Sequence, residues 1–152
     1  MYELMSMTNK LGEALAKSCP EAPFLATLKG DLGVGKSHLV RAFLKKLGVT
    51  DTIPSPTYTL CETYTINRTQ VISHMALYRL QDPEELEFLG FREMLDGHGM
   101  LIEWPERAAS FLPSPDLDLH LMWDGERRIC ALAAKSKKGE HWLSNLEVLN
   151  AP

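Results

Sequence analysis

The sequence predicts an α/β domain: a buried, partly parallel sheet with flanking helices and an antiparallel hairpin near the C-terminal end. Three observations carry that expectation. Phe24 to Leu28 is a nearly continuous apolar run, the pattern of a strand covered on both faces. A glycine-rich loop and an amphipathic helix follow it at once. Further on, Leu117, Leu119, Leu121 and Trp123 alternate with polar residues, and Asp124-Gly125 supplies a hairpin turn into a strand over Arg127 to Ala133.

The elements follow in order. Met7, Leu11, Ala14, Leu15 and Ser18 recur at helical spacing and predict an opening helix that Pro20 ends. After the strand and the glycine loop, Leu39, Val40, Phe43, Leu44 and Leu47 share a helical face opposite Arg41, Lys45 and Lys46, and Gly48 closes that helix. Pro54 and Pro56 make Ser55-Pro56-Thr57 a rigid connector. Strands are expected over Tyr58 to Tyr64 and Val71 to Met75. Asp82-Pro83-Glu84-Glu85 has the cap, proline and acid of a helix start. Gly97-His98-Gly99 breaks the chain before the apolar run Met100-Leu101-Ile102, which ends in Glu103. Trp142, Leu143, Leu146 and Leu149 predict a closing helix.

At 152 residues and 45% hydrophobic content, residues 1–152 are expected to form a single domain with one sizeable core. A net charge of −4 argues against a stand-alone nucleic-acid binder, which needs a basic face. Cys19, Cys61 and Cys130 are odd in number and contain no CxxC pair, so reduced thiols are the plain reading. Met1 to Lys10 lacks the apolar core of a signal peptide, and no run approaches the roughly 20 apolar residues of a bilayer span. A cytoplasmic protein with no membrane contact is expected.

Gly30-Asp31-Leu32-Gly33-Val34-Gly35-Lys36-Ser37 matches the phosphate-loop pattern G-x-x-x-x-G-K-[ST], with His38 next in line. Glycines let the backbone curl its N–H groups inward, where side chains would block a polyphosphate. Lys36 can reach the β- and γ-phosphates, Ser37 offers a hydroxyl to magnesium, and the helix dipole favours the anion. A chance match in a chain this long has a probability of roughly half a percent. The strand before the loop and the helix after it reduce that further. ATP or ADP with Mg2+ is the expected ligand. Asn9-Lys10 lacks the aspartate of a guanine reader, and Asp96-Gly97-His98-Gly99 precedes a strand instead of following one, so adenine is favoured.

A phosphate-loop site usually draws a second magnesium contact from an acid at the end of a neighbouring strand, and Glu103 stands in that place. A solvated carboxylate at a strand terminus is the plainer alternative. Trp104 beside it reads as packing from the residues alone. His74 reads as a proton carrier or as a hydrogen-bonded structural residue, and Tyr78 and Arg79 as phosphate or partner contacts or as surface groups.

Taken together, these segments resemble the TsaE (YjeE) family, the ATPase of bacterial tRNA threonylcarbamoyladenosine synthesis. The matching stretches are Leu11 to Ala16, Gly30 to Ser37, Ser55 to Leu60, Leu77-Tyr78-Arg79-Leu80, Asp82 to Gly90 and Ile102-Glu103-Trp104-Pro105-Glu106, covering most of Thr8 to Ala133. Ser-Pro-Thr, Leu-Tyr-Arg-Leu and Ile-Glu-Trp-Pro in this order are far more specific than the phosphate loop alone. The resemblance implies a P-loop NTPase-like mixed sheet, ATP or ADP with magnesium, and slow hydrolysis by the isolated protein, a monomer when free. It also implies association with the TsaB–TsaD pair, which acts on tRNA next to the anticodon, so that tRNA is met only indirectly. By position, Ser37 and Glu103 would hold magnesium and Lys36, Glu103 and Thr57 would serve turnover. The loop residues, with Thr8, Trp104 and Arg128, would contact the nucleotide.

Two departures stand out. The family usually has threonine where Ser37 stands, and serine keeps the hydroxyl. The family motif H-x-D-x-Y-R reads His74-Met75-Ala76-Leu77-Tyr78-Arg79, so alanine replaces an acid. Losing a group that orients water or accepts a proton typically lowers a rate by about 10²–10⁴. Asp82 or Glu85 could take over the role, although both are better explained as helix-start residues. ATP binding with impaired hydrolysis is therefore expected. Two other readings share the loop: a small-molecule kinase, for which 152 residues leave little chain for a lid and an acceptor pocket, and a nucleotide-gated binding protein without useful turnover.

Overall fold

The structure, a computed structural model, describes residues 2–3 and 8–146. Among these residues seven strands form one mixed sheet in the order β1-β7-β6-β2-β5-β4-β3. They are β1 (Tyr2–Glu3), β2 (Phe24–Lys29), β3 (Cys61–Thr65), β4 (Val71–Ala76), β5 (Gly99–Glu103), β6 (Leu117–Asp124) and β7 (Arg127–Ala134). The centre is parallel: β2 pairs with β5 and β6, and β4 pairs with β5. The margins are antiparallel, through β3 on β4, β7 on β6 and β1 on β7. This is a P-loop NTPase-like α/β fold with an antiparallel C-terminal hairpin, as the sequence predicts.

Helices cover both faces, which explains the unbroken apolar runs of β2 and β5. On one face α1 (Thr8–Lys17), α2 (Lys36–Lys46) and α5 (Lys137–Ser144) bury Leu11, Leu15, Leu39, Val40, Phe43 and Trp142 against Phe24, Ala26, Leu28 and Leu101. Trp142 meets Phe24 edge-on at 5.1 Å and donates its indole N–H to the Leu15 carbonyl at 3.0 Å. Each such large apolar side chain contributes about 1.5–3 kcal/mol on burial. α1 and α2 lie close because Gly12 faces α2: a Cβ there would sit 2.6 Å from the Leu39 carbonyl oxygen. On the other face α3 (Glu85–Phe88), α4 (Phe91–Gly97) and the 3-10 turn Pro105–Ala108 cover Leu25, Met75, Met100 and Ile102.

Several boundaries differ from the sequence expectations. The strand expected from Tyr58 begins only at Cys61, because Pro56 to Thr59 form a turn closed by the Leu60 N–H on the Pro56 carbonyl, 2.9 Å. Leu60 then takes φ 68, which no strand residue adopts. The helix signalled at Asp82 begins at Glu85, since Asp82 first closes a turn by accepting the Glu84 N–H at 3.0 Å. Gly90, at φ 74, splits that region into two short helices. Ser18 lies just past α1 and bonds back to the Ala14 carbonyl, 2.9 Å. β1 had no signal in the sequence. Met7 and Leu149, counted toward the first and last helices, lie outside the described residues.

Candidate functional site

The three central strands β2, β5 and β4 end on the same edge, and the chain leaving each contributes to one cleft. From β2 the chain passes into the loop Gly30 to Gly35 and straight into α2. Gly33 at φ 81 and Gly35 at φ 111 take left-handed conformations that other residues rarely adopt, which turns the loop inward at the helix head. A methyl on Gly30 would press within 2.6 Å of the Leu121 carbonyl oxygen and 2.8 Å of Val34 Cγ1, so the loop's entry is closed to larger residues. The cleft has a volume of about 370 Å3.

Lys36, the first residue of α2, is 5% exposed and folds back over its own loop. Its ammonium donates to the Gly30 carbonyl, lies 3.4 Å from the Asp31 carbonyl, and stands 3.6 Å from the centre of the Trp104 ring. Burial lowers its pKa from the ordinary 10.5, and the Glu103, Glu106 and Asp31 carboxylates partly restore it. Trp104 takes φ 60 where β5 ends, a conformation uncommon outside glycine, and its other neighbour is the Tyr78 ring at 4.9 Å. The cation is thus cradled by loop carbonyls and an aromatic face.

Ser37 and Glu103 meet directly. The hydroxyl donates to Glu103 at 3.0 Å to Oε2 and 3.2 Å to Oε1, joining α2 to the end of β5. Glu103 is 3% exposed, which excludes the solvated terminal carboxylate that the sequence left open. His74 donates from β4 to the same carboxylate, Nε2 to Oε2 2.5 Å. Parallel registry places Ala76 beside Glu103 and His74 one step earlier on the same face.

Most of the sequence-predicted residues converge here. Thr8, Leu32, Gly33, Gly35, Lys36, Ser37, His38, Thr57, Glu103, Trp104 and Arg128 line the cleft. Thr57 Oγ1 lies 2.7 Å from Ser55 Oγ on the connector. Arg128 stacks on Trp123 at 4.6 Å, and its Nε is buried without a hydrogen-bond partner. Three loop residues do not line it. Val34 is buried in the core, Gly30 presents its carbonyl to Lys36, and Asp31 is exposed. Arg41, Ala76 and Tyr78 also face the cleft. Arg41 stands four residues after Ser37, one helical turn away, so spacing could have indicated it. Arg79, weighed as a phosphate contact, stacks on the exposed Tyr58 ring at 4.6 Å instead.

Comparison with known proteins decides the lineage. The family described as "Threonylcarbamoyl adenosine biosynthesis protein TsaE" matches residues 3–129. The chain belongs to the TsaE family. It is 37% identical over 144 residues to the tRNA threonylcarbamoyladenosine biosynthesis protein TsaE of Haemophilus influenzae, covering 94% of this chain and 90% of the relative. The protein of the same name from Bacillus subtilis is 35% identical over 114 residues, with 73% and 70% covered. The crystal structure of Bacillus subtilis YdiB superposes with a TM-score of 0.75 at 26% identity, covering 93% of this chain and 87% of that one. Among the described residues no helix is long and apolar enough to cross a membrane.

As a site for a magnesium nucleotide, the TsaE cleft is chemically consistent. Glycines clear the loop, a buried ammonium lies within it, and a hydroxyl and a carboxylate converge at its edge. Among the described residues no cluster of three or more His, Cys, Asp or Glu could hold a metal unaided. The Ser37 hydroxyl and the Glu103 carboxylate are oxygen donors of the kind magnesium takes, one or two from the protein with phosphates and water completing its shell.

Proposed function

We propose that this TsaE-family chain binds ATP or ADP with Mg2+ in the cleft at the head of α2. It serves there as the ATPase subunit that supports the TsaB–TsaD complex in threonylcarbamoyladenosine modification of tRNA. The observation that carries the reading is the 3.0 Å contact between Ser37 and Glu103 beside the glycine loop. It brings together the only two groups a P-loop protein need supply to magnesium itself. Ser37 and Glu103 would hold magnesium, which would supply positive charge to offset that of the phosphates.

The chain's own residues divide the remaining work. Loop N–H groups and the positive end of α2 receive the phosphates. Lys36 exchanges its loop carbonyls for phosphate oxygens, which repay its burial better. Thr57, on the connector, lines the cleft with Thr8 and Arg128 and would face the end of the phosphate chain. Trp104 closes the strand end behind Lys36. With Ala76 beside Glu103, no carboxylate stands at that position to orient water, so hydrolysis is slow. A second reading, a nucleotide-gated binding protein with no useful turnover, is favoured by that same alanine. The net charge of −4 supports tRNA contact through the partners alone, by a cytoplasmic protein that is monomeric when free.

Capture of purified TsaB–TsaD on the immobilised chain tests the assignment. With ATP and magnesium the pair is retained, and retention differs with ADP or without nucleotide. Failure to retain the pair under all three conditions, from folded protein, sinks the proposal.

A further inference from the structure

Beneath the Glu103 carboxylate sits a group for which phosphate binding has no direct use. His74 is 1% exposed, on β4, two residues before the strand's end. Its Nε2 faces Glu103 Oε2 at 2.5 Å, and a carboxylate that already accepts from Ser37 requires that nitrogen to be the donor. Its Nδ1 is buried with no hydrogen-bond partner. A ring kept only to fill space would be better replaced by an apolar one, because an unpaired buried nitrogen is unfavourable. The polar contact the ring does make is with Glu103.

The structure assigns His74 the role of a positioning residue that fixes the Glu103 carboxylate for the divalent ion. The assignment rests on the reading of Glu103 as a magnesium ligand. Ser37 reaches both carboxylate oxygens from α2, and His74 grips Oε2 from the neighbouring strand β4. Held from two sides, the carboxylate cannot rotate out of line with the Ser37 hydroxyl. With the imidazole gone, Glu103 would keep one anchor, on a side chain with three free torsions. Groups that orient a metal-binding carboxylate in this way typically contribute 10–100-fold in metal affinity. The lever is selective. It acts on the ion and leaves the loop after β2 and Lys36, at the head of α2, untouched.

The test measures ADP affinity at zero magnesium, then the magnesium concentration that gives half the full gain in affinity, with melting temperature as the folding control. His74→Leu removes the donor. His74→Gln keeps an N–H at the reach of Nε2, whereas His74→Asn stops short of it and remains polar. Leu and Asn variants should need about 10–100-fold more magnesium with magnesium-free ADP affinity within about twofold of the parent. The Gln variant should recover most of the difference. Parent-like magnesium dependence in the Asn or Leu variant, or a folded Gln variant as impaired as Asn, overturns the assignment. Should the parent itself bind no ADP, the failure belongs to the nucleotide reading and not to His74.

Discussion

The strands on either side of β5 end very differently. β2 runs into a loop fully equipped for an anion: glycines at positive φ, a buried ammonium, a hydroxyl and a helix head. β4, with equal access to the cleft, ends in the methyl of Ala76, which is 4% exposed beside Glu103. One strand end carries groups that could hold a polyphosphate, and the other presents only a methyl to the cleft. On the proposed function, nucleotide binding and hydrolysis would depend on different strands of one sheet. A change at either end should move one property and spare the other.

The largest effect is expected at the bare end. Ala76→Asp places a carboxylate next to Glu103, facing the cleft from the β4 side. Turnover with the partner complex should rise by about 10²–10⁴, while ADP affinity stays within a few-fold, because nothing on the β2 side changes. Equal rates of phosphate release from parent and variant would show that the two ends are not divided as described.

The next effect belongs to the furnished end. Lys36→Met should weaken ATP affinity by about 10–100-fold, the worth of a charge-assisted contact of roughly 1.5–3 kcal/mol. It should also reveal a cost to the free protein. Burial holds the Lys36 pKa below 10.5, so in the range between its lowered folded value and 10.5 the unfolded chain binds more protons. The parent therefore gains stability from this group as pH rises through that window, and the Met variant lacks the gain. Melting temperatures of both ligand-free proteins across the alkaline range check the sign. A parent that loses ground to the variant as pH rises contradicts it.

The contrast between the two ends also separates what the sequence could reveal. The β2 side is local: strand, loop and helix head are consecutive, so a pattern of eight residues defines them and their chemistry. Ala76 drew notice only through the resemblance, because an alanine in a strand gives no signal of its own. Contacts between strands were harder to read. Glu103 could be named as the end of an apolar run, yet its burial and its bond to His74 depend on β4 pairing parallel to β5. Nothing in either segment states that pairing. The Tyr58 to Leu60 stretch misled for a related reason. Its aromatic and β-branched residues favour a strand, but Pro56 starts a turn, and the Leu60 backbone bends before pairing can begin.

The smallest effect sharpens the same boundary. Tyr78 and Arg79 are adjacent and both looked able to reach phosphate, but they form the centre of a turn closed by the Leu80 N–H on the Leu77 carbonyl, 3.0 Å, and their side chains diverge. Tyr78 lines the cleft behind Trp104, whereas Arg79 lies over Tyr58, whose ring is 81% exposed. A solvated cation–π contact of this kind contributes about 0.5–1 kcal/mol, or roughly 1–4 °C for a chain of this size. Arg79→Ala should therefore shift the melting temperature by no more than that and leave ATP affinity within about twofold, measured in the isolated protein. A loss of affinity like that of Lys36→Met would mean that Arg79 swings into the cleft when nucleotide binds. The β4 side would then supply a cation to the phosphates, and the division between the two strand ends would be narrower than the resting structure implies.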